Sequence, residues 1–112
     1  MERSELIRRM VLGRICDDYE NLDQTMLREL SRDAMRFGFH IERQEVIKVL
    51  RDLVSEGFAH AYLLSSFEPL AVKLDSMPSL EEVEEDFKTY FLITPAGREF
   101  DRSDESWWPF DD

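Results

Sequence analysis

Apolar residues in the first half of the chain recur every three or four positions in three separate stretches. This is the spacing of amphipathic helices, which we predict over residues 5–19, from a start signal at residues 21–24 to about residue 36, and over about 42–56. Asn21 or Asp23 can cap the free backbone N–H groups at the start of the second helix. The apolar positions of the first helix are Leu6, Ile7, Met10, Val11, Ile15, Cys16 and Tyr19.

After the third helix the apolar period changes to two, which is typical of a β-strand over residues 58–64. A second strand is predicted at residues 88–94, because they are rich in β-branched and aromatic side chains. The two strands are separated by a long loop, residues 66–87. Thr94 can then cap a short last helix, residues 95–102, which begins with proline. The order of elements predicts an α+β fold.

Two stretches of the sequence resemble winged helix-turn-helix domains. VIKVLRDLVSEGFAHAYLL, residues 46–64, resembles the recognition helix and first wing strand of MarR-like and PadR-like regulators. YFLITPAGREF, residues 90–100, is similar to the strand-to-helix junction that closes the wing in those families. The resemblance, at fold level only, implies a three-helix helix-turn-helix core, a two-stranded antiparallel wing with a long acidic loop, and a short C-terminal helix. Residues 1–102 would form this domain, and residues 103–112 an acidic-aromatic tail.

If the resemblance holds residue by residue, the third helix enters the DNA major groove. The side chains it would turn toward DNA are Arg43, Gln44, Ile47, Lys48 and Arg51. Arg43 and Gln44 are competent to bind base edges, and Lys48 and Arg51 could hold phosphates. Acidic residues alternate with them, so residues 42–56 carry three basic and four acidic side chains. The other interpretation is therefore an ordinary solvated helix face of mixed charge.

The chain has a formal net charge of −11, and nearly all of the excess lies in its second half. Residues 1–60 carry 10 Lys and Arg against 12 Asp and Glu, whereas residues 61–112 carry 4 against 13. Residues 75–88, around the predicted wing, hold six acidic side chains and one basic side chain. Such a field repels phosphate backbones and favours basic partners or simple solubility. The glutamates of this acidic run are candidates for protein interaction: Glu81, Glu82, Glu84 and Glu85.

The C-terminal tail places Trp107, Trp108 and Phe110 among acidic residues. Large aromatic side chains left in water are adhesive, so the tail either folds back onto the domain or docks onto another chain. Tryptophan is strongly enriched among binding hot spots, which keeps the second alternative open. The first helix and the tail are also natural surfaces for a homodimer.

Arg28, Arg32 and Arg36 lie four residues apart and form a stripe on the second helix. We call these residues the arginine stripe. It could contact phosphate, or an acidic loop of the same or a neighbouring molecule. The simpler interpretation is an exposed face whose arginines pair weakly with Glu29 and Asp33 of the same helix.

The sequence contains no pattern that points to catalysis, a metal or a cofactor. Cys16 is expected to be a small core residue, and His40 and His60 have no metal-ligand spacing. The four glycines form no loop that could cradle a phosphate.

One cysteine excludes an internal disulfide framework and fits a reducing cytoplasm. No apolar run approaches the roughly 18 residues that would cross a bilayer. We therefore expect a cytoplasmic, non-catalytic winged-helix module that acts through protein contacts, including contacts in a homodimer, and needs no cofactor. The alternative is a DNA-binding transcription regulator.

Overall fold

A computed structural model of the chain describes residues 2–64, 71–74 and 89–110. Within them the chain has a mixed α+β fold with four helices and one four-stranded antiparallel sheet, which confirms the predicted class. The helices are α1 (Arg3–Arg14), α2 (Gln24–Arg36), α3 (Arg43–Ser55) and α4 (Pro95–Arg102). The strands are β1 (Glu20–Asn21), β2 (Ala59–Leu64), β3 (Ala71–Lys73) and β4 (Thr89–Ile93).

Local sequence signals fix the ends of α2, α3 and α4. The Asp23 carboxylate accepts a hydrogen bond from the third backbone N–H of α2 at 2.8 Å, as its position predicts. Thr94 caps α4 in the same way, at 3.0 Å from the Gly97 nitrogen. Past the ends of α2 and α3, Gly38 and Gly57 have φ angles of +85° and +80°, the left-handed conformation that glycine adopts without a steric penalty.

Helix α1 is shorter than the sequence predicts, because it ends at Arg14 rather than at Tyr19. The backbone N–H of Ile93 in β4 donates to the Ile15 carbonyl at 3.0 Å. The Arg98 guanidinium donates to the next carbonyl, that of Cys16, at 2.9 Å. Longer-range partners thus take the carbonyl groups that a continuing helix would have used. Cys16 therefore lies just beyond the helix, half-buried against the core, and not on the apolar face of α1.

The sheet has four strands in the described part of the chain, where the sequence predicted two. Its strand order is β1-β4-β2-β3, and all neighbours are antiparallel. Strand β3 arises inside the predicted loop, residues 66–87, and places Val72 opposite Leu63 of β2. Strand β1 places Glu20 opposite Phe91 of β4. These added strands are two and three residues long, too short to show an alternating pattern in the sequence.

The hydrophobic core lies between α1, α2 and α3 and the inner face of the sheet. On β2 the buried positions are Ala59 and Ala61, which are small enough for the sheet to pack closely against the helices. None of the four helices in the described ranges has the length and apolar character needed to cross a bilayer. The largest fully buried side chains are Phe91, Leu12, Ile15, Leu30, Ile47, Leu53, Val11 and Val46.

Candidate functional site

The outer face of α3 is a polar stripe of mixed charge. Of the five residues predicted to face DNA, three are exposed on this face: Gln44, Lys48 and Arg51. Asp52 is exposed directly beside Arg51. The hydrogen bond from Arg3, and to a smaller extent the charge of Lys48, lower the pKa of Glu45. The face is therefore cationic only in part.

Two residues that the resemblance places in a DNA groove have structural roles instead. Arg43 is half-buried, and its Nη1 donates to the Leu22 carbonyl at 2.7 Å, which ties the start of α3 to the segment before α2. Ile47 is completely buried in the core. The prediction of a DNA-facing role was therefore wrong for Ile47. For Arg43, the structure shows a side chain turned toward the loop that precedes α2.

A group of carboxylates surrounds the start of α2, and we call it the acidic cluster: Asp18, Glu20, Asp23 and Glu29. Burial raises the pKa of Glu20, and the negative charges of Asp18, Asp23 and Glu29 raise it further. Arg43, at the beginning of α3, donates to the carbonyl of Leu22, the residue before Asp23 of this cluster. An anion that approached α3 from this side would meet concentrated negative charge.

Two carboxylates at the ends of α3, one inside the helix and one just past it, are engaged by arginines of α1. Arg3 binds Glu45, with 2.8 Å between Nη2 and Oε1. Arg8 binds Glu56, with 2.6 Å between Nη2 and Oε2. In each pair the hydrogen bond from the arginine is the main reason that the pKa of the glutamate is lowered. These ion pairs connect α1 to both ends of α3 and leave less negative charge on the outer face of α3.

The C-terminal tail folds back onto the turn after α2. The Phe37 ring has centroid distances of 6.2 Å to Trp107, 5.6 Å to Trp108 and 5.1 Å to Phe110. The Arg36 guanidinium carbon lies 4.3 Å from the centroid of Phe110, within cation–π range. Of the two alternatives that the sequence left open for the tail, the structure has the folded-back arrangement.

Arg9 of α1 anchors the end of α4, where the tail begins. Its side chain is buried, and Nη1 donates to the Phe100 carbonyl at 2.7 Å while the guanidinium carbon lies 4.1 Å above the Phe100 ring. Sequence reasoning missed Arg9 because arginine is usually exposed. The available signal was its position three residues after Leu6 and one before Met10, inside the apolar stripe of α1.

Within α2, all of which the structure describes, Arg28 and Arg32 of the arginine stripe do not form the ion pairs that the sequence suggested. Glu29 and Asp33 instead bind Arg14 of α1, at 3.2 Å and 2.9 Å. Arg28 and Arg32 are exposed. The carboxylates of α2 therefore stabilise the contact between α1 and α2, and the stripe keeps positive charge at the surface.

Cys16 and His60 lie outside these surfaces and have shifted pKa values. Burial, and then the charge of Asp17, raise the pKa of the Cys16 thiol, which disfavours the reactive thiolate. Burial, and then the charge of Lys73, lower the pKa of His60. Among residues 2–64, 71–74 and 89–110, no three His, Cys, Asp or Glu side chains come together as a metal site would require.

The acidic run that contains Glu81, Glu82, Glu84 and Glu85 lies outside the described residues, so its role in protein interaction stays a prediction. No protein-family model, curated protein or solved structure matches this chain.

Proposed function

We propose that this chain is a non-catalytic winged-helix module that acts mainly through contacts with other proteins. Three helices followed by an antiparallel strand pair and a closing helix support the winged-helix assignment. The net charge of −11 supports a partner other than a polyanion.

The observation that carries this proposal is the acidic cluster beside α3. DNA that entered along α3 would approach the segment that contains Glu20 and Asp23, because Arg43 of α3 is hydrogen-bonded to the Leu22 carbonyl of that segment. DNA binding gains affinity from cations that replace the counterions of the phosphates. Carboxylates at that position oppose this gain.

A second candidate function is a DNA-binding regulator of the winged-helix type. The observation that favours it is the exposure of Gln44, Lys48 and Arg51 on one face of α3. These residue types bind base edges and phosphates in DNA complexes. A dimer could present two such faces.

Titration of a labelled mixed-sequence DNA duplex at about 50 and 200 mM salt separates the two functions. The proposed function predicts no saturable binding at either salt concentration. Strong binding that falls steeply with salt, and that Lys48→Glu abolishes, would establish the regulator instead. Arg28→Glu is the matched control, because it reverses an exposed charge on α2 rather than on α3.

Sedimentation velocity over a wide concentration range then identifies the kind of protein contact. A mass that doubles with concentration indicates a homodimer. A monomer mass that does not change with concentration would mean that the partner is a different protein. The homodimer is the first alternative to test, because homodimers are the commonest closed assemblies.

A further inference from the structure

An open groove of about 400 Å³ lies between α1, α2 and the tail. This volume is within the range of about 300–1,000 Å³ that is usual for ligand clefts. One wall is formed by the two tryptophans of the tail, and four arginines and one aspartate contribute charge. The charged and aromatic lining residues are Arg9, Arg14, Arg32, Arg36, Trp107 and Trp108, with Asp33 as the aspartate.

The four arginines of the groove differ in what already binds them. Arg9 donates to main-chain carbonyls at the end of α4, and Arg14 pairs with two carboxylates of α2. Arg36 stacks against the rings of the tail. Arg32 is exposed at the groove and makes no ion pair with another residue in the described part of the chain. The groove therefore presents an accessible guanidinium beside aromatic faces.

Guanidinium groups bind carboxylates with two parallel hydrogen bonds, and indole faces bind apolar or aromatic groups. The tail supplies the aromatic side of this groove, where Trp108 also packs against Arg36. We propose that the groove is the docking site for a short acidic peptide segment of a partner protein. One carboxylate of the segment pairs with Arg32, and a neighbouring apolar side chain packs on Trp108.

The lining favours a short peptide over a free anion or a nucleic acid. A phosphate ion would leave the indole faces unused. A long polyanion would extend past Arg14 into the next groove, which is lined by Asp17, Glu20 and Asp23. Repulsion there limits the length of the negative segment that can bind. This inference rests on the proposed function and names the chemistry of the partner.

The test is a fluorescence anisotropy titration of the full chain with a short labelled peptide of alternating glutamate and phenylalanine. We expect Arg32→Glu to weaken binding at least about tenfold, because an attractive charge contact becomes repulsive. Arg28→Glu makes the same charge change one turn away on α2, outside the groove lining, and is expected to change the affinity less than about twofold. Circular dichroism confirms that both variants are folded.

Three results would overturn the inference. Equal weakening by both variants would mean that only the general charge of α2 attracts the peptide. Stronger binding of oligothymidylate than of the peptide would assign the groove to nucleic acid. Full displacement of the peptide by inorganic phosphate would mean that the groove binds anions in general and does not recognise a peptide.

The two proposals fail separately. Duplex binding that depends on Lys48 would refute the protein-contact function, whatever the groove binds. A peptide that does not bind, together with no duplex binding, would refute only the assignment of the groove.

Discussion

The backbone of α4 passes so close to the strand side of the molecule that position 97 has no room for a side chain. A Cβ atom added to Gly97 would lie 2.1 Å from the Phe58 carbonyl oxygen and 2.8 Å from Cγ1 of Ile93. The nearest of these atoms belongs to the backbone, which cannot move aside as the end of a flexible side chain can. Glycine is therefore required here by space.

We expect Gly97→Ala to lower the free energy of unfolding by about 1–3 kcal/mol, the usual effect of forcing an extra carbon into a packed site. Gly13→Ala is the matched control. Gly13 lies in α1 with no atom within 4 Å of an added Cβ, so alanine should raise the stability by about 0.5–1 kcal/mol. Urea denaturation measures both variants. A stable Gly97→Ala protein would show that α4 does not pack at this distance.

Single residues of the candidate site were predictable where helical phase alone decides their exposure. Gln44, Lys48 and Arg51 follow the polar side of α3 and are exposed as expected. Arg43 and Ile47 are one turn apart, on a side of the helix that turns inward. The apolar nature of Ile47 was the signal for burial, and the resemblance to DNA-binding helices outweighed it.

At the scale of elements, α4 was predicted to its exact bounds and α1 was not. The start of α4 depends on Thr94 and on the proline that follows it, both of which are local signals. The end of α1 depends on Ile93, which lies far along the chain and takes the Ile15 carbonyl. No local pattern shows such a bond. The same reason applies to β1 and β3, whose existence depends on the strands beside them.

Thr94 connects two elements through one hydroxyl group. Its Oγ1 accepts from the Gly97 nitrogen at 3.0 Å and donates to the Gly57 carbonyl at 2.6 Å. We expect Thr94→Ala to reduce stability by about 1–2 kcal/mol, because it removes the cap of α4 and leaves the Gly57 carbonyl without this donor. Thr94→Ser keeps the hydroxyl and should lose much less. Equal denaturation midpoints for the two variants would contradict this role.

At the scale of the whole molecule, the ion pair between Arg8 and Glu56 makes the contact between α1 and α3 sensitive to pH. The pair lowers the pKa of Glu56 from its ordinary value of 4.5. A lowered folded-state pKa stabilises the fold above pH 4.5, and this stabilisation is lost as the pH falls through the lowered value. Because the pair is partly exposed, we expect a contribution below about 1 kcal/mol.

The measurement compares the free energy of unfolding of the wild-type protein and Glu56→Gln between neutral and acidic pH. The wild-type protein should be the more stable of the two above pH 4.5, and the difference should shrink at lower pH. Glu99→Gln, which removes an exposed carboxylate of α4, is the matched control. A difference that grows as the pH falls would have the wrong sign for this ion pair.

Composition predicted the charge of the whole molecule but not its distribution in space. The sequence placed most of the negative excess in residues 61–112. The described structure adds the acidic cluster around Glu20, in which Glu29 of α2 joins Asp18, Glu20 and Asp23 of the first half of the chain. It also adds the groove at Arg32, which required the tail to fold onto α2. The groove is not visible along the chain, because its tail residues and its α2 residues lie far apart in the sequence.

Both tryptophans of the chain, Trp107 and Trp108, lie in the tail and near the ring of Phe37. Their ultraviolet emission therefore follows local attachment of the last residues, whereas far-ultraviolet ellipticity follows α1 to α4. Coincident melting curves from the two signals would mean that the aromatic segment detaches only when the helices melt. A transition in the emission at a lower temperature than the transition in ellipticity would mean that the C-terminal segment is released separately. This release could be followed without any added dye.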